Sequence, residues 1–215
     1  MLYGLPDPLL ILQSPTTKFA WKNLCKSRVI DWWEQHIRGQ AALLPSLVHF
    51  KSSYMSLTTP HPIWTTANSP YEISKAVISA RMLSGLYRTD YLTRHWSSRN
   101  PSGHCTLPGC DNQQIGTLEH LLLHCSALAV ARGRVIQLWA NHMVSNEVLL
   151  PIVAHHTTHN PDLHLQFLLD PSSLPVVISA SRANKEILGS CFYLSRTWIY
   201  TLHVRRSRLV LGVAS

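Results

Sequence analysis

Apolar residues recur at three- and four-residue intervals along most of this chain, and no stretch alternates apolar and polar for long enough to form a strand ladder. The pattern predicts helices. Between Lys18 and Arg38 the interval is kept by Trp21, Leu24, Cys25, Arg28, Trp32 and His36, with Gly39 as the expected stop. A sharper start lies at Ser69, where Pro70 takes the first helical position and Glu72 the third, a capping box with a proline opener. Ile73, Ala76, Val77, Ala80, Leu83 and Tyr87 then form the apolar stripe, and Gly85 is expected to break the helix near its end. Leu118, Leu121, Leu122, Cys125, Leu128 and Ala129 predict one helix reaching toward Gly133, with a second piece through Trp139. Asp162 to Leu169 suits a short helix ended by Pro171. The last helix is expected to begin near Ser181 or Ala183, with Ile187, Leu188, Cys191, Leu194, Trp198 and Leu202 facing inward.

The segments between these helices set the organisation. Residues 1–68 hold a Pro-punctuated lead-in, the first helix and a linker rich in Pro, Ser and Thr. Order is expected in that linker because Tyr54, Met55, Leu57, Ile63 and Trp64 require burial. Residues 69–134 hold the capped helix and a cysteine–histidine cluster, and 135–215 form a C-terminal helical region. Met1 opens directly onto apolar sequence, so the chain is expected to have been cut from something longer.

Composition adds a partner class. Hydrophobic residues make 46% of the 215 and charged residues only 14%, so part of the surface is expected to meet a partner. Lys and Arg number 19 against 11 acids, and a net charge of +8 favours a polyanion. Five cysteines, an odd count without a secretory pattern, point to a reducing intracellular compartment, nucleus or cytoplasm. Pro6, Asp7 and Pro8 interrupt the apolar start, and Arg196 sits inside the apolar run from Ile187 to Val204. Neither reads as a signal peptide or membrane span.

The most specific chemistry is C-x4-C-x9-H-x4-C, formed by Cys105, Cys110, His120 and Cys125. Zinc takes soft thiolates and imidazoles in a tetrahedron, and a structural site draws four of them from two short segments. Pro108 and Gly109 build a tight turn that can return Cys110 to Cys105. Thr117 is the expected N-cap of a short helix carrying the second pair. His124, beside Cys125, is an alternative fourth ligand that the spacing does not exclude. The expected fold is thus mainly α, an irregular helical assembly with a small CCHC zinc knuckle in its middle and one structural Zn2+.

Around this cluster run Arg81, Arg88, Arg94, His95, Trp96 and Arg99, interleaved with Tyr87 and Tyr91. Arginines alternating with aromatics suit a single-stranded nucleic acid, through phosphate pairing and base stacking. The same residues also suit an ordinary helix face with long side chains reaching to solvent. The basic end Arg205-Arg206-Ser207-Arg208 complements its helix dipole and can also touch phosphate. Trp32-Trp33 can stack on bases, although such a pair on a helix also suits a core. His155, His156 and His159 are spaced for a shared metal, but Thr157, Thr158 and Pro161 disfavour the helix that sharing requires.

The run Arg81 to Asp90, then His95-Trp96, the cysteine pair and Thr117 to Cys125 resembles the region after the polymerase domain in LINE-type (non-LTR) retrotransposon reverse transcriptases. Thr59-Pro-His-Pro-Ile-Trp64 and Phe192-Tyr-Leu-Ser-Arg-Thr-Trp198 are similar to that region too. The resemblance implies a non-catalytic C-terminal tail that holds template RNA or target DNA for a separate polymerase domain. By position it implies Cys105, Cys110, His120 and Cys125 as zinc ligands. The polymerase itself needs paired aspartates for two metals, and Asp-Asp occurs nowhere in the chain, so copying is not expected. Some relatives carry a restriction-like nuclease. Its acid-x-Lys pair has no match, because Ala183 stands two places before Lys185. A zinc-stabilised protein-interaction module, or a decayed element without activity, is the alternative.

Overall fold

The computed structural model describes residues 4–7, 9, 17–44, 47–50, 58–96, 98, 100–110, 114–144, 146–157 and 160–212. They group into two compact units, Met1–His61 and Pro62–Ser215. The described part of the first unit is mostly one helix, α1 (Lys18–Leu43). Thr17 caps it, its hydroxyl accepting from the Ala20 N–H at 3.2 Å. Gly39 does not stop α1 as expected. An internal glycine costs only about 1 kcal/mol against alanine, and Gln40, Ala41, Ala42 and Leu43 beyond it are good helix formers. Trp32 stacks on His36 at 4.9 Å, with Trp33 edge-on to it. Tyr54, Met55 and Leu57 lie outside the described residues.

The second unit opens with a single turn, α2 (Pro62–Thr65), and with α3 (Pro70–Leu83). The Ser69 hydroxyl accepts from the Glu72 N–H at 3.2 Å, so the expected cap forms. Termination is equally local. Gly85 takes φ +69°, the Leu86 N–H reaches the Arg81 carbonyl at 2.8 Å and the Gly85 N–H reaches that of Met82 at 3.2 Å. These two bonds are a Schellman stop, which glycine permits because it has no Cβ to clash. The buried face of α3 is Lys75, Ala76, Ser79, Met82 and Leu83, whereas Ile73 is 48% exposed. The expected stripe is therefore rotated toward polar residues. Lys75 explains part of this: its ammonium meets Glu72 at 2.8 Å and lies over the Tyr71 ring.

After α4 (Asp90–Thr93) and the cysteine–histidine segment come α5 (Ala129–Val144), α6 (Leu149–Thr157), α7 (Pro161–Leu169), α8 (Pro175–Ala183) and α9 (Lys185–Val210). The single helix expected from Leu118 to Gly133 is broken at Cys125, whose ψ of 116° is not helical. α6 forms where a helix was disfavoured, because it ends at Thr157, ahead of Pro161, and Pro151 lies within its first turn, where a missing N–H has no helical partner. α8 has no counterpart among the expected helices. Asn184 separates it from α9 and caps the latter, accepting from the Glu186 N–H at 2.9 Å.

α9 is the central element, with α3, α5, α7 and α8 packed against it. Leu194, Ser195, Arg196, Thr197, Trp198 and Ile199 are buried in sequence, so the helix is enclosed on every side over this stretch, just past the exposed Tyr193. Each fully buried Leu or Ile there contributes about 1.5–3 kcal/mol. Several polar groups inside are paired, although Thr197 Oγ1 and Ser79 Oγ are buried without a hydrogen-bond partner among the described residues. Ser195 donates to the Leu168 carbonyl, and the Trp139 indole donates to that of Leu194 at 3.0 Å. Arg196, 1% exposed, donates to Glu72 at 3.2 Å, to the Thr66 hydroxyl and carbonyl at 2.7 and 3.0 Å, and to the Ile63 carbonyl at 3.3 Å. One guanidinium thus ties α2 and α3 to α9. No strand occurs among the described residues, only an isolated antiparallel bridge between His104 and Ile115. None of their helices is long and apolar enough to cross a membrane. The fold is mainly α.

Candidate metal centre

Cys105, Cys110, His120 and Cys125 come together here, their ligand atoms all within 4.8 Å of one another. The first pair is placed by the chain's own turn chemistry. The Cys110 N–H closes on the Leu107 carbonyl at 3.0 Å around Pro108 and Gly109, and Gly109 takes φ +82°. That is a type II turn, whose third position requires positive φ. The Cys105 N–H donates to the Gln114 carbonyl at 2.9 Å, which sets this turn against the strand-like return to Ile115.

The second pair depends on an irregular turn. The Thr117 hydroxyl accepts from the His120 N–H at 3.1 Å, as expected of a cap. His120–His124 is then a π-helical turn, closed by the Cys125 N–H on the His120 carbonyl at 2.6 Å. At 3.6 residues per turn, positions five apart would diverge by about 140°. The wider turn brings His120 and Cys125 round to one side. It also turns His124 away: that side chain is half exposed and meets Glu119 at 3.4 Å, outside the cluster. Between the two open alternatives, the structure brings Cys125 to the other three residues.

Two of the ligand-atom distances come close to the edges of a tetrahedral ion. Metal–sulfur bonds of ~2.3 Å give sulfur–sulfur edges of about 3.8 Å, and sulfur–nitrogen edges of about 3.5 Å. The Cys105 and Cys125 sulfurs are 3.9 Å apart, and Cys110 Sγ is 3.2 Å from His120 Nε2. Cys105, His120 and Cys125 are buried and Cys110 is partly so. Without a metal, hydrogen bonding to Cys125 and burial raise the Cys105 pKa, while the bond from Cys105 lowers that of Cys125. Burial lowers the Arg132 pKa and the Cys125 and Cys110 sulfurs act against it. Nη1 of Arg132 is buried with no hydrogen-bond partner among the described residues, and the charge of its guanidinium is felt by the Cys125 and Cys110 sulfurs.

Three anchors hold the segment to the fold. Asp90 accepts from the Thr106 N–H at 3.1 Å and from its hydroxyl at 3.2 Å. The Ser126 hydroxyl donates to the Gly109 carbonyl at 2.9 Å. The Trp198 indole of α9 donates to the Leu122 carbonyl at 3.2 Å. Gly116 must lack a side chain, since a Cβ there would sit 2.7 Å from that of Asp90.

The expected nucleic-acid contacts have varied settings. Arg81 and Arg88 are exposed and Trp96 is 84% exposed. Arg94 stacks on Tyr91 at 3.8 Å and donates to His95 at 3.1 Å. Arg206 donates to the Tyr87 hydroxyl at 3.4 Å, and that hydroxyl lies 3.0 Å from His203 Nδ1. Arg205 and Arg208 line a cavity of about 430 Å³ between α5 and α9. Arg99 lies outside the described residues, as does His159. Sequence reasoning missed Asp90, Arg132 and Trp198 as supports of the cluster. Their signal was weak, because none lies within the ligand pattern itself.

Comparison with known protein families, curated proteins and solved structures returns no match. The class is therefore defined by fold and site alone: a helical protein whose Cys3His cluster can hold one metal ion.

Proposed function

We propose that the chain is a non-catalytic, zinc-stabilised nucleic-acid-binding tail of a non-LTR retrotransposon reverse transcriptase, holding RNA or single-stranded DNA. The observation that carries this reading is the Cys3His cluster, its ligand atoms within 4.8 Å of one another, set in a chain of net charge +8. Cys105, Cys110, His120 and Cys125 would hold one Zn2+. Four protein ligands leave no position for a reacting water, so the metal's role is structural. The resemblance of Arg81 to Cys125 to the post-polymerase region supports this choice of family. A polymerase domain is the natural protein partner, and Ile136, Leu138 and Val144 of α5 are exposed apolar residues that such a domain would cover.

The test combines metal and ligand. Metal content is measured by mass spectrometry on purified protein and on a Cys105→Ser, Cys110→Ser variant. Labelled single-stranded RNA is then titrated by fluorescence anisotropy at several salt concentrations. The reading expects about one zinc per chain, lost in the variant, and binding that weakens steeply with salt. Folded protein without zinc would remove its foundation. Zinc-loaded protein that ignores RNA and DNA would leave the protein-interaction reading in its place.

A further inference from the structure

Arg134 of α5 faces Arg205 and Arg208 of α9 across the cavity of about 430 Å³. The two helices touch where Trp139 meets Leu194 and Trp198, and the cavity lies further along both, toward the start of α5 and the end of α9. Val130 and Arg134 are four apart on one helix and Val204 and Arg208 four apart on the other, so each helix presents an apolar residue beside a guanidinium. Tyr200 adds an aromatic ring, and no carboxylate among the described residues lines the space. None of the three guanidiniums has a hydrogen-bonding or carboxylate partner among the described residues.

We infer that this groove is where a single-stranded nucleic acid seats one nucleotide, its phosphates on Arg134, Arg205 and Arg208 and its base against Val130, Val204 and Tyr200. The assignment rests on the nucleic-acid-binding reading above and gives it an address. A free inorganic phosphate would use the cations but leave the apolar walls idle. A duplex would offer its backbone and keep its base faces stacked away. An unpaired nucleotide offers both an anion and a flat apolar face, which is the chemistry lining the groove. The groove also depends on the metal cluster: α5 starts four residues after Cys125, so a metal that fixes Cys125 fixes the wall carrying Val130 and Arg134.

The experiment uses the full metal-loaded chain and an Arg134→Gln, Arg205→Gln, Arg208→Gln variant. Fluorescence anisotropy follows labelled single-stranded RNA and DNA of one sequence, and inorganic phosphate competes in a separate arm. A Lys18→Gln, Lys22→Gln, Lys26→Gln variant removes the same charge from α1. Loss of three contacts should flatten the slope of log affinity against log salt by about 2. Affinity near physiological salt should fall at least tenfold, with unchanged circular dichroism and metal content. The lysine variant should keep wild-type affinity within about threefold. Wild-type chain that binds neither strand overturns the functional reading and the groove together. Wild-type binding that survives in the arginine variant with the same salt slope overturns the groove alone. Equal losses in the two variants would also overturn it, by assigning the effect to net charge. Displacement of the oligonucleotide by millimolar phosphate would reduce the site to an anion hole and exclude the base contact.

Discussion

Replacing Arg196 by alanine should destabilise the second unit more than most other single changes. The guanidinium is 1% exposed and serves four acceptors at once: Glu72, the Thr66 hydroxyl, and the carbonyls of Thr66 and Ile63. Burial pulls its pKa down, and the charge and hydrogen bond of Glu72 pull it back up. Truncation leaves the Glu72 carboxylate with Lys75 alone and strips both carbonyls of a donor. Breaking a buried pair in this way costs about 3–5 kcal/mol. For a unit of this size that is a fall in Tm of about 10–15 °C. Arg196→Lys keeps a charge near Glu72 but cannot span Thr66 and Ile63 together, and should cost about 2 kcal/mol. Urea titration followed by far-UV circular dichroism and by tryptophan fluorescence measures both. A double-mutant cycle with Glu72→Ala should give a coupling of about 1–3 kcal/mol. A loss below about 1 kcal/mol for Arg196→Ala, or strict additivity in the cycle, would refute the view that this residue ties α2 and α3 to α9.

The metal cluster and the buried histidines give further tests. His124→Ala should keep full metal content whereas Cys125→Ser should lose it, as read by mass spectrometry; the reverse would make the exposed histidine the ligand. Gly116→Ala should push Asp90 off Thr106, costing about 1–3 kcal/mol by overpacking, with weaker metal retention against a chelator. Burial and the nearby His124 hold His164 at a pKa of about 4, against 6.5 when free, and burial also lowers His156. The neutral forms are the folded ones, so stability is full above about pH 6.5 and falls as pH drops toward 4, by about 3 kcal/mol for His164. Urea midpoints between pH 7 and 4 should show this slope, and His164→Phe should flatten it. An unchanged slope in the variant would place the acid sensitivity elsewhere.

Much of the candidate site was legible because its geometry is local. Pro108-Gly109 and Thr117 are turn and cap residues whose roles follow from their own backbone preferences, and both sit as their chemistry requires. The start of α3 was legible for the same reason, while that of α1 followed from the spacing of its apolar residues. What escaped depends on distant partners. Ile73 belongs to the apolar stripe by spacing, yet α3 turns Lys75 and Ser79 inward because Arg196 waits on α9 for Glu72. α8 was missed because Pro175 reads as a loop residue, although in the first turn it lacks only a donor that the helix would not have used. The choice between His124 and Cys125 turned on one backbone bond, and no side-chain pattern encodes it.

The π turn at His120–His124 also bears on how this cluster can vary. It absorbs one residue more than an α-helical turn between the same two ligands would need. A chain shortened by Leu123 would place cysteine four positions after histidine, where an ordinary α-helix already puts both on one side. The ion would then keep its four donors while the helix became regular. Length at this point is therefore a free variable and side-chain direction the fixed one. Any search for such a centre should count the angle swept between ligands and allow the residue number to change.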